Sequence, residues 1–223
     1  MRILHTADWH LGKSLEGRSR LEEQSRFLSD FTQIAKEEQA DLVIVAGDVY
    51  DSYNPPAEAE KLFYRTLKEI TEGGKRLVLV IAGNHDSPDR LSAAGPLAME
   101  HGILMAGLPG SVIPAGTYGC HQVIDSGEGY VEIEINGERA VILLLPYPSE
   151  KRLNDVIYQE MDEEEKRASS YGERIGRFFS ALEGIYREDT INLAVAHLFA
   201  MDASAGGSER GISLGGSYVV DGS

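Results

Sequence analysis

Four short polar segments of the sequence contain side chains that bind divalent metals, and each segment follows an apolar run. These segments are Asp8-Trp9-His10, Gly47-Asp48-Val49-Tyr50-Asp51, Gly83-Asn84-His85-Asp86 and His197. Their candidate ligands are carboxylates, imidazoles and one amide, without a thiolate, and this set suits Mn²⁺, iron or catalytic Zn²⁺. Each segment alone is also compatible with a polar turn, because Gly, Asn and Asp tolerate positive φ. Their shared position after apolar runs favours a metal site.

The ligands can be divided between two metal ions. Asp8 and His10 are two residues apart, and in an extended segment such residues share one face, so we expect them to bind one ion. Asn84 and His197 offer an amide oxygen and an imidazole nitrogen to a second ion, with Asp48 as the carboxylate between the two. Two divalent ions about 3.5–4 Å apart can clamp a phosphoryl group for in-line attack. The segments therefore predict hydrolysis of a phosphoester.

His85 and Asp51 are assigned to catalysis and not to metal binding. If the turn after Gly83 is tight, the side chain of His85 points away from that of Asn84 and toward the phosphate. There it could donate a proton to the leaving oxygen or stabilise the transition state as a cation. The Asp51 carboxylate is expected to accept a hydrogen bond from the other ring nitrogen of His85 and so fix the imidazole.

Strands and helices alternate in the N-terminal half. The uninterrupted apolar runs at 42–46 and 77–81 predict strands that are buried on both faces, and the spacing of apolar residues predicts helices between the strands. The expected helices lie at about 19–38, 57–73 and 89–101. This alternation predicts a parallel sheet, in which the carboxyl ends of the strands meet at one edge and build the site.

The pattern changes in the second half of the chain. Tyr130–Ile135 alternates apolar and polar residues, Asn136-Gly137 is a strong hairpin signal, and an apolar run resumes at 140–144. A helical stretch at about 161–187 and a strand at Ile191–Ala196 follow. We therefore expect one α/β domain that is built from two packed sheets with helices outside.

The composition is that of a folded globular protein, but its charge disfavours a nucleic-acid partner. The 223 residues are 42% hydrophobic and carry a formal net charge of −15. Much of the acidity lies between Glu150 and Glu165, which is typical of a solvated helix. Two bound divalent ions would add positive charge locally, so the net charge does not decide the substrate. The single cysteine, Cys120, excludes an internal disulfide framework and favours a cytoplasmic location.

The combined motifs resemble those of the calcineurin-like metallophosphoesterase superfamily, and in particular its bacterial DNA-repair nuclease subunits. The likeness includes the residues at 1–12, 45–51 and 208–210. It implies a four-layer α/β/β/α sandwich of two mixed sheets flanked by helices. It also implies an Mn²⁺-dependent exonuclease on double-stranded DNA and endonuclease on single-stranded or hairpin DNA. Such a subunit acts in repair and recombination, as a homodimer with an ABC-type ATPase partner.

The resemblance also assigns roles to the residues that match its motifs. It implies that the metal ligands are Asp8, His10, Asp48, Asn84 and His197, and that His85 is the catalytic histidine with Asp51 supporting it. One departure is that the family's last motif, Gly-His-x-His, which supplies a further histidine to each metal, does not occur in residues 1–223. We therefore expect a nuclease domain truncated before that motif, without the capping domain and the ATPase-binding tail. Such a domain should bind metal more weakly than the whole subunit and have little or no nuclease activity.

Two other functions remain open from the sequence. A phosphatase or cyclic-nucleotide phosphodiesterase would use the same metals, so only a groove long enough for a duplex would separate it from a nuclease. Lys13, Arg18 and Arg20, just after the first polar segment, are candidates for contacts with a DNA backbone. The second alternative is a metal-poor scaffold for protein docking, which a measurement of metal content would distinguish from an enzyme.

Overall fold

The computed structural model describes residues 1–149, 152–153, 171–200 and 219–220. In these ranges the strands are β1 Ile3–Thr6, β2 Ser14–Leu15, β3 Arg18–Ser19, β4 Leu42–Ala46, β5 Leu77–Ile81, β6 Ile103–Ala106, β7 Gly116–Tyr118, β8 His121–Gly127, β9 Tyr130–Ile135, β10 Glu138–Leu145, β11 Ile191–Ala196, β12 Phe199–Ala200 and β13 Val219–Val220. The helices are α1 Leu21–Glu37, α2 Ala57–Thr71, α3 Pro88–Ser92, α4 Gly95–Glu100 and α5 Tyr171–Leu182, and a 3₁₀ turn at Glu183–Ile185 follows α5.

The first sheet has the strand order β1-β4-β5-β6, and its neighbouring strands are all parallel. The helices α1, α2 and the pair α3 and α4 connect successive strands and pack on one face of the sheet. The parallel order confirms the predicted alternation, but it corrects the expectation that both sheets are mixed. Parallel neighbours need a crossover connection, and a helix lies in each one.

The second sheet has the order β11-β10-β9-β8-β7. It is mixed, because β10 and β11 are parallel and all other neighbouring strands of the sheet are antiparallel. The predicted hairpin between β9 and β10 is confirmed, since Ile135 pairs with Glu138 across a two-residue turn. Asn136 and Gly137 both have positive φ, 53° and 83°, which a type I′ turn requires. The chain therefore reverses where the Asn-Gly pair predicts it.

Successive side chains of the buried strands point to opposite faces of the first sheet and therefore belong to two different apolar cores. In β4, Val43 and Val45 pack with α1 and α2, whereas Leu42 and Ile44 pack with the second sheet. On the far side of the second sheet, α5 packs over Leu145. The resulting order of helices, sheet, sheet and helix confirms the four-layer α/β/β/α sandwich.

The predicted helix at 89–101 is wrong in one respect, because the structure has two short helices, α3 and α4, in this stretch. Pro96 lies in the first turn of α4, where its missing N–H is tolerated, but it cannot continue a helix that began earlier. Of the predicted helix at 161–187, the structure describes the part from Tyr171 onward. The acidic run from Glu150 to Glu165 and the motif at 208–210 lie outside the described residues. Within those residues, none of the helices has the length and apolar character that crossing a bilayer requires.

Candidate metal centre

The loops that follow β1 and β4 run side by side and carry three of the predicted ligands. The main-chain N–H groups of Asp8 and His10 donate to the carbonyl oxygens of Gly47 and Asp48, each at 3.0 Å. These bonds continue the pairing of two parallel strands beyond their ends. The sheet itself therefore brings the first two polar segments of the sequence together.

Asp8, His10 and Asp48 all have left-handed backbone conformations, with φ values of 58°, 44° and 48°. β1 ends at Thr6, so Asp8 and His10 do not lie in an extended segment, and the geometry predicted for them is wrong. Their side chains still converge, with Nε2 of His10 at 3.9 Å from Oδ1 of Asp8. A left-handed residue other than glycine costs about 1 kcal/mol or more, and such strain is concentrated at functional sites.

The buried carboxylate of Asp48 lies at the centre of the cluster. Its Oδ2 is 3.7 Å from Nε2 of His10, and its Oδ1 is 3.6 Å from Nε2 of His197. The main-chain N–H of His85 donates to Oδ1 of Asp48 at 2.9 Å and so fixes the carboxylate. Asp48 therefore lies between two histidines, where the sequence predicts a bridging ligand.

His197 follows β11 and connects the second sheet to the first. Its Nδ1 bonds to the carbonyl oxygen of Ala46, at the end of β4, with a distance of 2.8 Å. Because a carbonyl oxygen can only accept, Nδ1 carries a proton, and Nε2 is the ring nitrogen that faces the cluster. Oδ1 of Asn84 lies 3.1 Å from this Nε2. The amide oxygen and the imidazole nitrogen that the sequence assigns to a second ion therefore lie next to each other.

His85 is buried beside His10, and their rings meet edge to face with centroids 4.7 Å apart. Nδ1 of His85 donates to the main-chain carbonyl oxygen of Asp51 at 2.8 Å, and not to the Asp51 carboxylate as predicted. The main chain of Asp51 is tied to the loop of His10, since its N–H donates to the Leu11 carbonyl. The Asp51 carboxylate accordingly lies 3.6 Å from Nδ1 of His10. Asp51 thus orients His85 through its backbone.

The arrangement of these side chains fits divalent metal. Among the described residues, the buried Nδ1 of His10 and Nε2 of His85 lack a hydrogen-bond partner. Separations of 3.6–3.9 Å between imidazole nitrogens and carboxylate oxygens exceed hydrogen-bond lengths. They fit atoms that each lie about 2.0–2.2 Å from a common ion. Burial lowers the pKa of His10 below its usual range, which favours the neutral imidazole that can ligate.

The ligand atoms form two overlapping groups, each within a 4.8 Å span. One group is Asp8, His10 and Asp48, and the other is His10, Asp51 and His85. Several carboxylates this close together repel one another unless a cation neutralises them. The second group also places His85 within reach of a metal-binding position, so its assignment as a catalytic residue stays a prediction.

Two glycines make this close packing possible. A Cβ atom at Gly47, where φ is 91°, would lie 2.2 Å from Nδ1 of His197. A Cβ atom at Gly83 would lie 2.1 Å from Oδ1 and 2.2 Å from the main-chain nitrogen of Asp48. All three distances are far shorter than van der Waals contact, so neither position can hold a side chain while the ligands keep their places.

Residues 1–183 match the family of calcineurin-like phosphoesterases. The chain belongs to this family. The match includes the first three polar segments of the site, whereas His197 lies beyond the matched residues and reaches the site from β11. The two-sheet sandwich and the cluster at its strand ends are therefore those of a calcineurin-like phosphoesterase.

Two curated relatives of this phosphoesterase are both described as the SbcD subunit of nuclease SbcCD. The protein from Bacillus subtilis (strain 168) is 44% identical over 220 residues, which are 99% of this chain and 52% of the relative. The protein from Rhodobacter capsulatus is 34% identical over 232 residues, or 99% of this chain and 53% of the relative. The chain thus spans about half the length of these relatives. A crystal structure of Pseudomonas putida nuclease MPE matches 51% of each chain at 22% identity, with a TM-score of 0.33.

The role of Asp86 in this phosphoesterase was not predicted from the sequence, although Asp86 belongs to the third polar segment. Its fully buried carboxylate accepts main-chain N–H bonds from Val49 at 3.1 Å, Tyr50 at 2.9 Å and Gly83 at 2.8 Å. Burial raises the pKa of Asp86, and the three N–H donors oppose that shift because they stabilise the charged form. Asp86 therefore ties the loop of Asp48 to its own loop.

Arg152 supports the same loop from the other side, and no local pattern in the sequence indicates it. Its guanidinium donates to the carbonyl oxygens of Gly83, Asp86 and Tyr147 at 3.1–3.3 Å. It also lies over the ring of Tyr147, 5.7 Å from the centroid. The loop that presents Asn84 and His85 is thus held by buried polar contacts on two sides.

Two of the three predicted DNA-contacting cations line a cavity beside the cluster. Arg18 lies in the small exposed hairpin of β2 and β3. Lys13 and Arg20 line a cavity beside Asp8 and His10. The structure therefore places Lys13 and Arg20 next to the cluster, while contact of any of the three cations with DNA stays a prediction.

Proposed function

We propose that this chain is the catalytic domain of a DNA nuclease subunit that hydrolyses phosphodiesters with two divalent metal ions, of which Mn²⁺ suits the ligands best. The observation that carries the proposal is the position of Asp48. Its two carboxylate oxygens each face the Nε2 atom of a different histidine, His10 on one side and His197 on the other. A carboxylate in this position can serve two metal ions at once, with one oxygen directed at each.

The candidate ligands form two sets, one for each ion. Asp8, His10 and Asp48 would hold one ion, and Asp48, Asn84 and His197 would hold the other. When bound, the two ions supply Lewis-acid activation of water and neutralise charge on the phosphate. Asp48 is kept in place by the N–H of His85, so its carboxylate needs no reorganisation when substrate binds.

His85 serves as the proton donor to the leaving oxygen. Its Nδ1–H is engaged by the Asp51 carbonyl, so Nε2 is the nitrogen that faces the reacting phosphate. This Nε2 is buried, lies 3.8 Å from Oδ2 of Asp48 and has no hydrogen-bond partner among the described residues. A proton held there is delivered as the P–O bond breaks, and the developing negative charge on the leaving oxygen is neutralised.

The names of the two relatives support the proposals made here for the substrate and for the partner. Both are the SbcD subunit of a nuclease named SbcCD, and each aligns with 99% of this chain. We accordingly propose that DNA is the substrate, cleaved from duplex ends and at single-stranded or hairpin sites. The proposal includes a homodimer, an SbcC-type ABC ATPase as partner, and a cytoplasmic role in repair and recombination. Residues 1–223 would form the nuclease domain of such a subunit.

The test is calorimetric titration of the metal-free chain with Mn²⁺. We expect two ions per chain, and we expect Asp48→Asn to abolish binding of both because Asp48 is common to both sites. Asp189→Asn is the matched control: Asp189 is exposed and precedes β11, at the opposite end of that strand from His197. Absence of Mn²⁺ binding by the unmodified chain would favour the docking scaffold and contradict the proposal.

Cleavage is measured on the complete gene product with two substrates, linear duplex DNA and bis(p-nitrophenyl) phosphate. A nuclease cleaves both, and Asp48→Asn abolishes both activities. Cleavage of the small diester without any cleavage of DNA would instead identify a small-molecule phosphodiesterase.

A further inference from the structure

A cavity of about 320 Å³ opens beside the candidate metal centre. Asp8 and His10 form its boundary with that centre, so the cavity and the metal ligands share a wall. Its other principal lining residues are Trp9, Lys13, Arg20, Glu23, Gln24 and Phe27. Pockets that hold small ligands start at about 300 Å³, so the cavity can accept a group the size of a nucleoside.

One face of α1 forms the outer wall of this cavity. Arg20, Glu23, Gln24 and Phe27 are spaced at i, i+3, i+4 and i+7, which places them on the same side of a helix. Nε of Arg20 bonds to Oε2 of Glu23 at 2.9 Å in an exposed ion pair. Arg20, immediately before α1, and Phe27, in its second turn, thus place a cation and an aromatic ring at the cavity beside Asp8.

The ring of Phe27 is unusual in its exposure. Phe27 is 51% exposed, although it lies beside Phe31, which is buried between the first sheet and its helices. Its ring lies against that of Phe31, with centroids 6.3 Å apart and planes inclined by 32°. An exposed aromatic face that is supported from behind, with cations nearby, is the arrangement on which proteins stack the bases of single-stranded nucleic acid.

We propose that this cavity binds the nucleoside attached to the scissile phosphate, with its base stacked on Phe27 and its sugar between Lys13 and Arg20. The inference rests on the proposed function, because it needs the phosphate at the metal centre. It adds a specific consequence: the nucleotide at the cleavage site is unpaired and turned toward α1, since a base within a duplex cannot stack on a side chain. Stacking of this kind accepts any base.

The experiment uses Trp9, the single tryptophan of the chain, which lines the cavity. Thymidine 5′-monophosphate is added in the presence of Mg²⁺, and Trp9 fluorescence is recorded. We expect saturable quenching and a dissociation constant that rises about 10-fold in Phe27→Ala, because one stacking contact is lost. Phe27→Tyr retains the ring and should bind like the unmodified chain. Ile34→Ala is the matched control, since Ile34 is 47% exposed on the same helix but does not line the cavity.

Competition with ribose 5-phosphate and with inorganic phosphate shows whether a negative result contradicts only this inference or also the proposed function. Both lack a base, so their competition with the nucleotide should be equally strong in Phe27→Ala and the unmodified chain. If Phe27→Ala binds the nucleotide as tightly as the unmodified chain while phosphate still competes, the base site is wrong and the phosphoesterase site stands. Tighter binding of phenyl phosphate than of the nucleotide would also overturn the base site. If none of these phosphate compounds binds, both proposals fail.

Discussion

Nε2 of Gln24 donates a hydrogen bond to the main-chain carbonyl oxygen of His10, with a distance of 2.7 Å. The same carboxamide donates to the Trp9 carbonyl at 3.3 Å and accepts from the Gly12 N–H at 3.1 Å. One side chain of α1 therefore binds three main-chain groups of the loop that carries two candidate ligands. Because His10 holds a left-handed backbone conformation, such external bonds are what can keep it there.

Replacement of Gln24 by Ala should weaken metal binding without unfolding the protein. The loop of Asp8 and His10 loses all three bonds, and substitutions that remove support from a ligand typically cost about 10–100-fold in metal affinity. We expect a loss of about 10-fold for Mn²⁺, measured by calorimetry, and a decrease in stability of about 1 kcal/mol.

Gln33→Ala is the matched control for this prediction. Gln33 lies on the same helix, is exposed and bonds to Glu37, remote from the loop. It should leave Mn²⁺ affinity unchanged. Equal losses in Gln24→Ala and Gln33→Ala would mean that α1 as a whole, and not the carboxamide of Gln24, supports the loop.

Gly83→Ala should disrupt the metal centre more severely. The added methyl group would lie 2.2 Å from the main-chain nitrogen of Asp48, which cannot move away as a side chain could. We expect loss of Mn²⁺ binding and a destabilisation of about 1–3 kcal/mol, as for an overpacked core. Calorimetric titration and urea unfolding measure the two effects.

Gly176→Ala is the corresponding control substitution. Gly176 lies in α5, and a Cβ atom there would have no atom within 4 Å. Alanine is the better helix former, so stability should rise by about 0.5–1 kcal/mol while metal binding stays the same. A similar loss of Mn²⁺ binding in both variants would contradict the steric explanation for Gly83.

The location of the site could be predicted from the sequence because it depends on periodic features. Apolar runs and helical spacing define the strands, and parallel strands align their carboxyl ends, so Asp8, Asp48 and Asn84 had to meet at one edge. The placement of His197 follows for the same reason, because β11 runs parallel to β10 and ends beside the first sheet. The Asn136-Gly137 turn could be predicted because its local backbone demands those residues.

The orientation of side chains within the loops could not be predicted in this way. Left-handed φ at Asp8 and His10, and the use of the Asp51 carbonyl in place of its carboxylate, are set by dihedral angles of irregular backbone that leave no periodic signal. The contacts of Gln24 with the His10 loop and of Asp86 with Val49 and Tyr50 reach across 12 to 37 positions of the chain, so no spacing rule indicates them.

Asp86→Asn should destabilise the protein and loosen the site, although the two side chains have nearly the same shape. The amide group turns one acceptor into a donor that faces main-chain N–H groups, so at least one buried N–H of Val49, Tyr50 or Gly83 loses its partner. This costs about 1–3 kcal/mol. Asp89→Asn, an exposed position at the start of α3, should cost almost nothing. Equal stability of the two variants in urea unfolding would show that the three N–H bonds do not hold the loop.

Charge reversal at Arg18 and Arg20 should weaken DNA binding and should make the remaining affinity less dependent on salt concentration. Each contact with a phosphate that is lost removes about one unit from the slope of log affinity against log salt concentration. The double substitution Arg18→Glu and Arg20→Glu is compared with Arg139→Glu by fluorescence anisotropy at several salt concentrations. Arg139 lies at the start of β10, at the opposite end of the second sheet from His197. An unchanged slope in the double variant would exclude these arginines from the DNA contact.

His85→Asn should separate catalysis from metal binding. If His85 donates the proton to the leaving oxygen, its loss slows cleavage by about 10²–10⁴-fold, while both Mn²⁺ ions stay bound. Cleavage of duplex DNA and of bis(p-nitrophenyl) phosphate by the complete gene product is measured beside Mn²⁺ stoichiometry. The small diester has a good leaving group that needs little protonation, so its hydrolysis should fall less than that of DNA.

His101→Asn is the control for the last variant, because His101 is exposed at the end of α4 and should affect neither measurement. The arrangement of His10, Asp51 and His85 within one 4.8 Å group defines the competing outcome. Loss of a Mn²⁺ ion in His85→Asn would make His85 a ligand, and equal reduction of both substrates would then follow from the missing ion. Retained metal with the larger loss on DNA assigns the proton to Nε2 of His85, the nitrogen that its bond to the Asp51 carbonyl leaves facing the site.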